Sequence, residues 1–176
     1  QEANDLTGLF IEYGPTVQIR SAERKVWRDG KRRRSDYYQG PVAVLINRLS
    51  ASASEIFAGA IQDYGRGIVL GDRSFGKGTV QTLLGMPEGQ LKVTESKFYR
   101  ISGDSTQHRG VVPDIDFPSL FDPGEIGESA LDNALDWDQI SPVRHREYSL
   151  FSSLIPTLSE RHQSRIKQDP DYTYLV

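Results

Sequence analysis

An apolar run that leads directly into a serine-rich turn and then a helical pattern is the feature that most constrains this chain. Residues 42–46 form the apolar run, which is typical of a buried strand. Large apolar side chains then recur at helical spacing at Ile56, Phe57, Ile61 and Tyr64. The chain must therefore turn sharply from a strand into a helix between residues 47 and 55.

The segments around this turn predict an α/β fold. Gly65 is a typical helix C-cap, and residues 68–71 form another short apolar strand, which together indicate a strand-helix-strand unit of a parallel sheet. Alternating residues at 16–20 predict an earlier strand, and residues 79–84 and 90–99 predict a β hairpin around Pro87-Glu88-Gly89. Asp29-Gly30 is a type I′ hairpin signal.

The composition changes at residue 121. Residues 110–115 predict an extended segment, whereas residues 122–138 are acidic with a helical pattern, and residues 153–167 predict a helix with Pro156 near its start. We therefore expect two regions: an α/β core over residues 1–120 and a mostly helical extension over residues 121–176.

Charge and composition argue against several classes of function. The net charge is −3, with 21 basic and 24 acidic residues, which argues against nucleic acid as a partner. The basic cluster at residues 31–34 could bind a polyanion, but we interpret it as a solvated loop. The chain has no cysteine, which excludes cysteine catalysis and disulfides within it, and its apolar runs are too short for membrane insertion.

The serine-rich turn has two interpretations. Ser52-Ala53-Ser54-Glu55 fits a capping box, in which the serine and the glutamate satisfy free donors at a helix end. The same position exposes backbone N–H groups and the positive end of the helix dipole, which would suit a nucleophile.

Lys77 could be an ordinary surface lysine, and the sequence also allows two chemical roles for it. Residues 71–77 match G-x-x-x-x-G-K of a phosphate-binding loop, but Gly78 stands where a magnesium-binding serine or threonine is needed, and a strand pattern follows where a helix is needed. Alternatively, Lys77 is a general base, which requires a desolvated, uncharged amine.

Two motifs together resemble the carboxy-terminal processing peptidases, the tail-specific proteases with a Ser-Lys dyad. These are N-x-x-S-A-S-A-S-E-I at residues 47–56 and F-G-K-G-T-V-Q at residues 75–81. The resemblance implies that Ser52 is the nucleophile, that Lys77, 25 positions later, is the base, and that Gln81 orients the lysine. Further similar segments extend over nearly the whole chain, at residues 62–66, 97–100, 105–107, 110–115, 132–138 and 165–170.

The resemblance implies a serine endopeptidase with a crotonase/ClpP-like α/β core, βαβ units, a β hairpin and a helical C-terminal extension. It implies polypeptide substrates with apolar C-termini, a periplasmic location, an adaptor or lipoprotein partner, and neither a metal nor another cofactor. The N–H of Ala53 at the helix start is the natural oxyanion donor. Because a second oxyanion donor and the family's PDZ domain are not found in these residues, we expect a fragment that is inactive or nearly so alone.

Several residues test these expectations. On a straight strand Gln81 would lie roughly 13 Å along from Lys77, so a direct contact requires a bend, which a bulge at Gly78 could supply. We expect His108 to have a surface role and Asp114 to fix a turn; three scattered histidines make a zinc site improbable.

The main alternative function is a non-catalytic module that binds peptides by β-augmentation, and the third possible function is that of a nucleotide-binding protein.

Overall fold

The computed structural model describes residues 2–148 and 151–176. Its elements follow along the chain in the order α1 (Glu2–Thr7), β1 (Gly14–Ser21), β2 (Val26–Lys31), β3 (Ala43–Ile46), α2 (Ala53–Asp63), β4 (Ile68–Gly71), β5 (Thr79–Gly85), β6 (Gln90–Tyr99), β7 (Ile115–Asp116), a 3₁₀ helix (Glu128–Ala130), α3 (Ile155–Ile166) and α4 (Pro170–Leu175).

The predicted strand-helix-strand unit is confirmed. β3 and β4 pair in parallel, with Ala43 opposite Ile68 and Ile46 opposite Gly71, and α2 makes the crossover between them. Strand β7 adds to the other side of β4 in the same direction. A core cluster under this sheet comprises Ile46, Ala58, Val69 and Val111. The core therefore fixes the carboxyl end of β3, and with it the serine-rich turn.

A second, antiparallel sheet has the strand order β2-β1-β6-β5. It contains the predicted β5–β6 hairpin, which is confirmed, and β1 connects it to the rest of the core because Val17 and Gln18 are both buried. The Lys77 loop leads directly into β5, the edge strand of this sheet. The serine turn and the lysine loop thus follow two neighbouring parallel strands, β3 and β4, and the lysine loop connects the two sheets.

The predicted hairpin turn at Asp29-Gly30 is wrong. Both residues lie inside β2, and the connection from β1 occupies residues 22–25, where Arg24 has a positive φ of 63°. Gly30 is opposite Pro15 next to a bulge, and a Cβ at Gly30 would lie 2.5 Å from the Gly14 carbonyl oxygen. The glycine is thus needed for the close approach of two strands and not for a turn.

The predicted helix over residues 122–138 is also wrong. Within it the structure has only the three-residue 3₁₀ helix, and the following segment bonds to the core instead. Trp137 Nε1 donates to the Ser105 carbonyl at 2.9 Å, and Asp138 accepts from Arg20 and Lys97 at 2.5 and 2.6 Å. These long-range bonds hold the segment extended, since a helix would turn part of these groups away from the core.

The predicted final helix is confirmed as α3, with Pro156 in its first turn. His162 of α3 is buried and stacks on Phe117, with ring centroids 5.0 Å apart. This contact packs the helix against the segment that follows β7. Among the residues described, no helix is both long and apolar enough to cross a membrane.

Candidate active site

Ser52 occupies the sharp turn between β3 and α2, at the N-cap of the helix. Its backbone has φ 55° and ψ −107°, a left-handed conformation that residues other than glycine seldom adopt. Such strain persists only where the surrounding structure enforces it, and it is concentrated at functional sites. The side chain is half-buried. The turn therefore presents Ser52 in a constrained, partly accessible position.

The first turn of α2 leaves one backbone donor free. The N–H groups of Ser54, Glu55 and Ile56 donate to the carbonyl oxygens of Ala51 and Ser52 at 3.0 to 3.2 Å. Within the described parts of the chain, the Ala53 N–H has no hydrogen-bond partner and Ala53 is exposed. A free N–H directly after Ser52 is the donor that the sequence predicts for an oxyanion.

Glu55 connects the serine turn to the Lys77 loop. Its side chain is fully buried, and its two carboxylate oxygens accept four hydrogen bonds. Oε1 accepts from Ser74 Oγ at 2.5 Å and from Gly76 N at 2.7 Å, and Oε2 accepts from Ser52 N at 2.7 Å and from Lys77 N at 3.0 Å. The bond from Ser52 N is the carboxylate half of a capping box, but the other three bonds reach across to the Lys77 loop.

The environment of Glu55 exerts two opposite effects on its ionisation. Burial raises the pKa of Glu55 to about 7, whereas the four donors favour the ionised carboxylate. Three of the donors are backbone N–H groups, which cannot rotate away from the carboxyl oxygens. A protonated Glu55 carboxyl group would therefore accept fewer hydrogen bonds, although all four groups bonded to it are donors.

One oxygen atom brings the Ser52 and Lys77 backbones together. Because both N–H groups bond to Glu55 Oε2, the two backbone nitrogens lie within 5.7 Å of each other, the sum of the 2.7 and 3.0 Å bonds. Lys77 is half-buried, and no carboxylate of residues 2–148 or 151–176 forms an ion pair with it. The two residues singled out in the sequence are thus adjacent at the level of the backbone.

The residue after Lys77 is clamped by Gln107. The Gly78 N–H donates to Gln107 Oε1 at 2.9 Å, and Gln107 Nε2 donates to Glu128 Oε1 at 3.0 Å. Gln107 is fully buried, and a Cβ at Gly78 would lie only 2.6 Å from the Gln107 backbone nitrogen. The glycine therefore permits a close approach that fixes the position of the lysine loop.

Arg48 stabilises the site through hydrogen bonds to two backbone carbonyl groups. It is 2% exposed, and its guanidinium donates to the Ile126 carbonyl at 2.6 and 2.9 Å and to the Ser74 carbonyl at 3.2 Å. Phe75 N also donates to the Ser50 carbonyl at 2.9 Å. The serine turn, the lysine loop and the segment before the 3₁₀ helix are therefore connected into one unit.

The structure does not bring Gln81 to Lys77. Gln81 is exposed and lies opposite Thr94 in the hairpin, and within the described residues it makes no hydrogen bond to Lys77. The irregularity in β5 falls between Val80 and Gln81, and not at Gly78, where we expected that a bulge could supply the bend. Any orienting effect of Gln81 on the lysine must therefore pass through another group.

His108 and Asp114, the remaining candidate residues, both make hydrogen bonds that connect loop segments to the core. His108 has a positive φ of 65°, and its backbone N–H donates to the Gly76 carbonyl at 2.9 Å. Asp114 accepts from Val69 N at 2.7 Å and from Gln62 Nε2 at 2.8 Å, so it fastens the segment before β7 to β4 and α2. Among the described residues, no group of three or more His, Cys, Asp or Glu side chains could hold a metal ion.

Sequence reasoning missed the residues that join the two halves of the site. The sequence predicts only a helix cap at Glu55, and it assigns no individual role to Ser74, Gln107 or Arg48 although each lies within a segment singled out there. The only local signal was their polarity next to glycine-rich or serine-rich segments. Their partners lie 19 to 78 residues away along the chain, beyond the range of any periodic pattern.

Comparison with known proteins identifies relatives of both regions. Residues 1–117 match the family described as Peptidase family S41, and residues 121–176 match the C-terminal domain of tail specific protease. The chain is 44% identical to the tail-specific protease of Haemophilus influenzae over 99% of its own length and 27% of that protein. It is 41% identical to the carboxy-terminal-processing protease of Bartonella bacilliformis over 65% of its length and 27% of that protein.

A solved structure shares the fold. The photosystem II D1 C-terminal processing protease superposes with a TM-score of 0.54 and 33% sequence identity, covering 69% of this chain and 31% of that one. The chain thus spans about a quarter to a third of the length of these relatives. Both the sequence and the fold relate it to proteases that process the C-termini of proteins.

Proposed function

Since the chain belongs to peptidase family S41, we propose that it carries the catalytic dyad of a tail-specific serine endopeptidase, with Ser52 as nucleophile and Lys77 as general base. The observation that supports this assignment is the shared acceptor Glu55 Oε2, which holds the backbones of both residues. The strained backbone of Ser52 is a second support, because a capping serine alone needs no positive φ.

The reaction proceeds by acyl transfer. Lys77 Nζ takes the proton from Ser52 Oγ as this oxygen attacks the peptide carbonyl carbon. The resulting oxyanion accepts a hydrogen bond from the Ala53 N–H, and the C–N bond breaks as the lysine returns the proton to the leaving amine. Water then attacks the Ser52 ester, again with Lys77 as the base, and releases the new C-terminus and the free serine.

The wider assignments rest on the family. Substrates are polypeptides with apolar C-termini, the location is the bacterial periplasm, and an adaptor or lipoprotein partner presents substrates. Gln81 influences Lys77 through an intervening group, since the two make no direct bond. The divide between catalytic core and extension falls near residue 120, between the segments matched by the two families.

The test is a pair of serine variants in the natural protein that contains this chain. Ser52→Ala is expected to lower kcat for cleavage of an unfolded polypeptide by more than about 1000-fold, because no other group can form the acyl-enzyme. Ser54→Ala is the matched control: Ser54 lies two residues later, in the first turn of α2, is exposed, and its Oγ donates only to the Ala51 carbonyl. Equal cleavage activity of both variants would contradict Ser52 as the nucleophile, whereas a natural protein that binds the polypeptide without cleaving it would favour a peptide-binding module.

The base is tested in the same way. Lys77→Met keeps the length of the side chain without its amine and is expected to lower kcat by about 100-fold or more. Lys25→Met, at an exposed position in the β1–β2 connection, is the control and should leave kcat unchanged. Full activity of Lys77→Met would exclude the lysine as the base.

A further inference from the structure

The C-terminal region contributes a short segment, residues 126–128, to the surroundings of the proposed dyad. These residues lie beyond the peptidase match, which ends at residue 117. The Ile126 carbonyl accepts two hydrogen bonds from the buried Arg48 in the serine-rich turn. A Cβ at Gly127 would collide with the same guanidinium. The segment is therefore packed closely against the turn that carries the proposed nucleophile.

Glu128 holds the lysine loop on both sides of Lys77. Its backbone N–H donates to the Phe75 carbonyl, two residues before the lysine, at 2.9 Å. Its carboxylate Oε1 accepts from Gln107 Nε2 at 3.0 Å. Gln107 Oε1 in turn accepts from the N–H of Gly78, the residue after the lysine, at 2.9 Å. One residue of the C-terminal region thus fixes the chain before and after the proposed base.

Glu128 also sets the polarity of this connection. A glutamine amide has a donor end and an acceptor end of nearly the same shape, so either end of Gln107 could face the loop. A carboxylate only accepts hydrogen bonds, and it therefore selects the Nε2 end of Gln107. The Oε1 end is left facing the Gly78 N–H, which can only donate.

The connection is buried. Gln107 is fully buried, Glu128 is 8% exposed, and the two hydrogen bonds of the Gln107 amide are shielded from water. Without the carboxylate, the Gln107 amide nitrogen would lose its acceptor in a place that water does not reach, so the amide would turn or shift. Either movement withdraws the acceptor from the Gly78 N–H.

The middle of the loop is held by a different residue. The N–H groups of Gly76 and Lys77 donate to the Glu55 carboxylate at 2.7 and 3.0 Å. Glu55 thus fixes the middle of the loop, and Glu128 fixes its two ends. If one end shifts, the lysine side chain leaves the backbone in a different direction. A displacement of about 1 Å in a catalytic group can lower a rate about 100-fold.

We propose that Glu128 is a positioning residue of the catalytic site, which sets the orientation of Gln107 and through it the place of Lys77. This rests on the proposed function, in which Lys77 is the base. It adds that the C-terminal region supplies part of the site. Family matches that change near residue 120 therefore do not mark a functional division, because a group beyond that point controls the base.

The first test measures kcat and KM for an unfolded polypeptide with variants of the natural protein that contains this chain. Glu128→Ala is expected to lower kcat at least about tenfold and to keep KM within about threefold, because the base is displaced and the buried Glu128 touches no substrate. Glu128→Gln keeps an acceptor oxygen for Gln107 Nε2 and should retain most of kcat. Glu125→Ala, at an exposed position of the same segment, is the control and should leave kcat unchanged. Normal kcat in Glu128→Ala, or an equal loss in Glu128→Gln, would overturn the proposal.

The second test reverses the polarity of the connection. Gln107→Glu places two carboxyl groups against each other and is expected to lower kcat at least about tenfold. The double variant Gln107→Glu, Glu128→Gln again has one donor and one acceptor at this contact, and an oxygen still faces the Gly78 N–H. Its kcat should return to within about threefold of the wild-type value, whereas independent destabilisation would make the two losses add. A double variant no better than Gln107→Glu alone contradicts the proposed polarity.

Hydrogen exchange at residue resolution tests the connection without cleavage. In Glu128→Ala, the Gly78 N–H is expected to exchange at least about tenfold faster than in the wild-type protein. The N–H groups of Gly76 and Lys77 should stay protected, because Glu55 still binds them. Unchanged exchange at Gly78 would exclude the connection. Equal acceleration at all three positions would show that Glu128 serves only overall stability, and it would equally overturn the proposal.

The Ser52→Ala variant separates failure of this proposal from failure of the proposed function. Full cleavage by Ser52→Ala would overturn both together. Loss of cleavage in Ser52→Ala with a normal kcat in Glu128→Ala would overturn this proposal alone and leave the dyad in place.

Discussion

The backbone N–H groups of Ser52 and Lys77 donate to the same oxygen atom, Glu55 Oε2, at 2.7 and 3.0 Å. A buried carboxylate thus sets the separation of two residues that are 25 positions apart in the chain. In a capping box the glutamate serves its own helix alone, but here it also serves the loop that carries the lysine. Helix capping and site assembly are therefore functions of one side chain.

Removal of the Glu55 carboxylate should damage both stability and activity. Glu55→Ala leaves four donors without an acceptor, two of them in fully buried bonds, and opens a cavity, so we expect a loss of roughly 3–5 kcal/mol in the free energy of unfolding. Activity should fall about 100-fold or more, since Ser52 and Lys77 lose their common anchor. Urea unfolding and peptide cleavage measure the two effects. The exposed Glu125→Ala serves as control and should change neither.

The pH dependence of stability should report the ionisation of Glu55. Its folded pKa of about 7 exceeds the ordinary 4.5 because burial disfavours the charged form. The folded state thus binds more protons than the unfolded state between these values, and stability must fall as pH rises. Below about pH 4.5 the contribution is complete; it is lost as pH rises through about 7, by about 3 kcal/mol in total.

The variant Glu55→Gln isolates this effect because it cannot titrate. Wild-type protein should lose about 3 kcal/mol of stability relative to this variant as the pH rises from about 4.5 to about 8. Urea unfolding of both proteins across that range measures the difference. A difference that is constant with pH would show that Glu55 has the same pKa folded and unfolded.

Gly78, next to the site, and Gly85, at the far end of β5, should respond oppositely to alanine. Gly78→Ala places a Cβ 2.6 Å from the Gln107 backbone nitrogen, so the loop must move, at a cost of about 1–3 kcal/mol. Activity should fall with it, because Lys77 immediately precedes the displaced residue. At Gly85, by contrast, no atom lies within 4 Å of an added Cβ, and Gly85→Ala should be neutral or slightly stabilising. Thermal unfolding of both variants tests the contrast; equal losses would contradict the close packing at Gly78.

Arg48 should prove structural and not catalytic. Arg48→Ala leaves the Ile126 and Ser74 carbonyls without their buried donor, and we expect a loss of about 2–4 kcal/mol in the free energy of unfolding. The exposed Arg73→Ala should be nearly neutral. Guanidinium unfolding compares the two. If Arg48→Ala and Arg73→Ala lower the free energy of unfolding equally, the buried Arg48 guanidinium makes no specific contribution to stability.

Local patterns predicted much of the core correctly. The parallel strands β3 and β4, the crossover helix α2, the β5–β6 hairpin and the helix α3 all have a signal that repeats within a few residues: an apolar run, a helical spacing or a turn sequence. The turn at Ser52 follows from the same kind of signal, because a strand that ends where a helix begins leaves no other path for the chain.

Where a short pattern was compatible with two structures, packing decided between them. Asp29-Gly30 can form a hairpin turn, but its glycine is used where two strands approach closely at Pro15. Residues 122–138 can form a helix, but Trp137 and Asp138 bond to Ser105, Arg20 and Lys97, which lie 32 or more residues earlier. The local preference was weaker than these long-range bonds.

Local sequence patterns thus predict the strand-turn-helix that carries Ser52, the glycine-rich loop that carries Lys77, and the family to which both motifs point. How these two segments meet depends on tertiary packing. Periodicity and turn composition describe neighbours along the chain, whereas the Glu55 carboxylate joins groups 3 and 22 residues away. This buried acceptor acquires its partners only when β3 and β4 are paired and α2 is packed against β4, and its role is therefore a property of the folded protein.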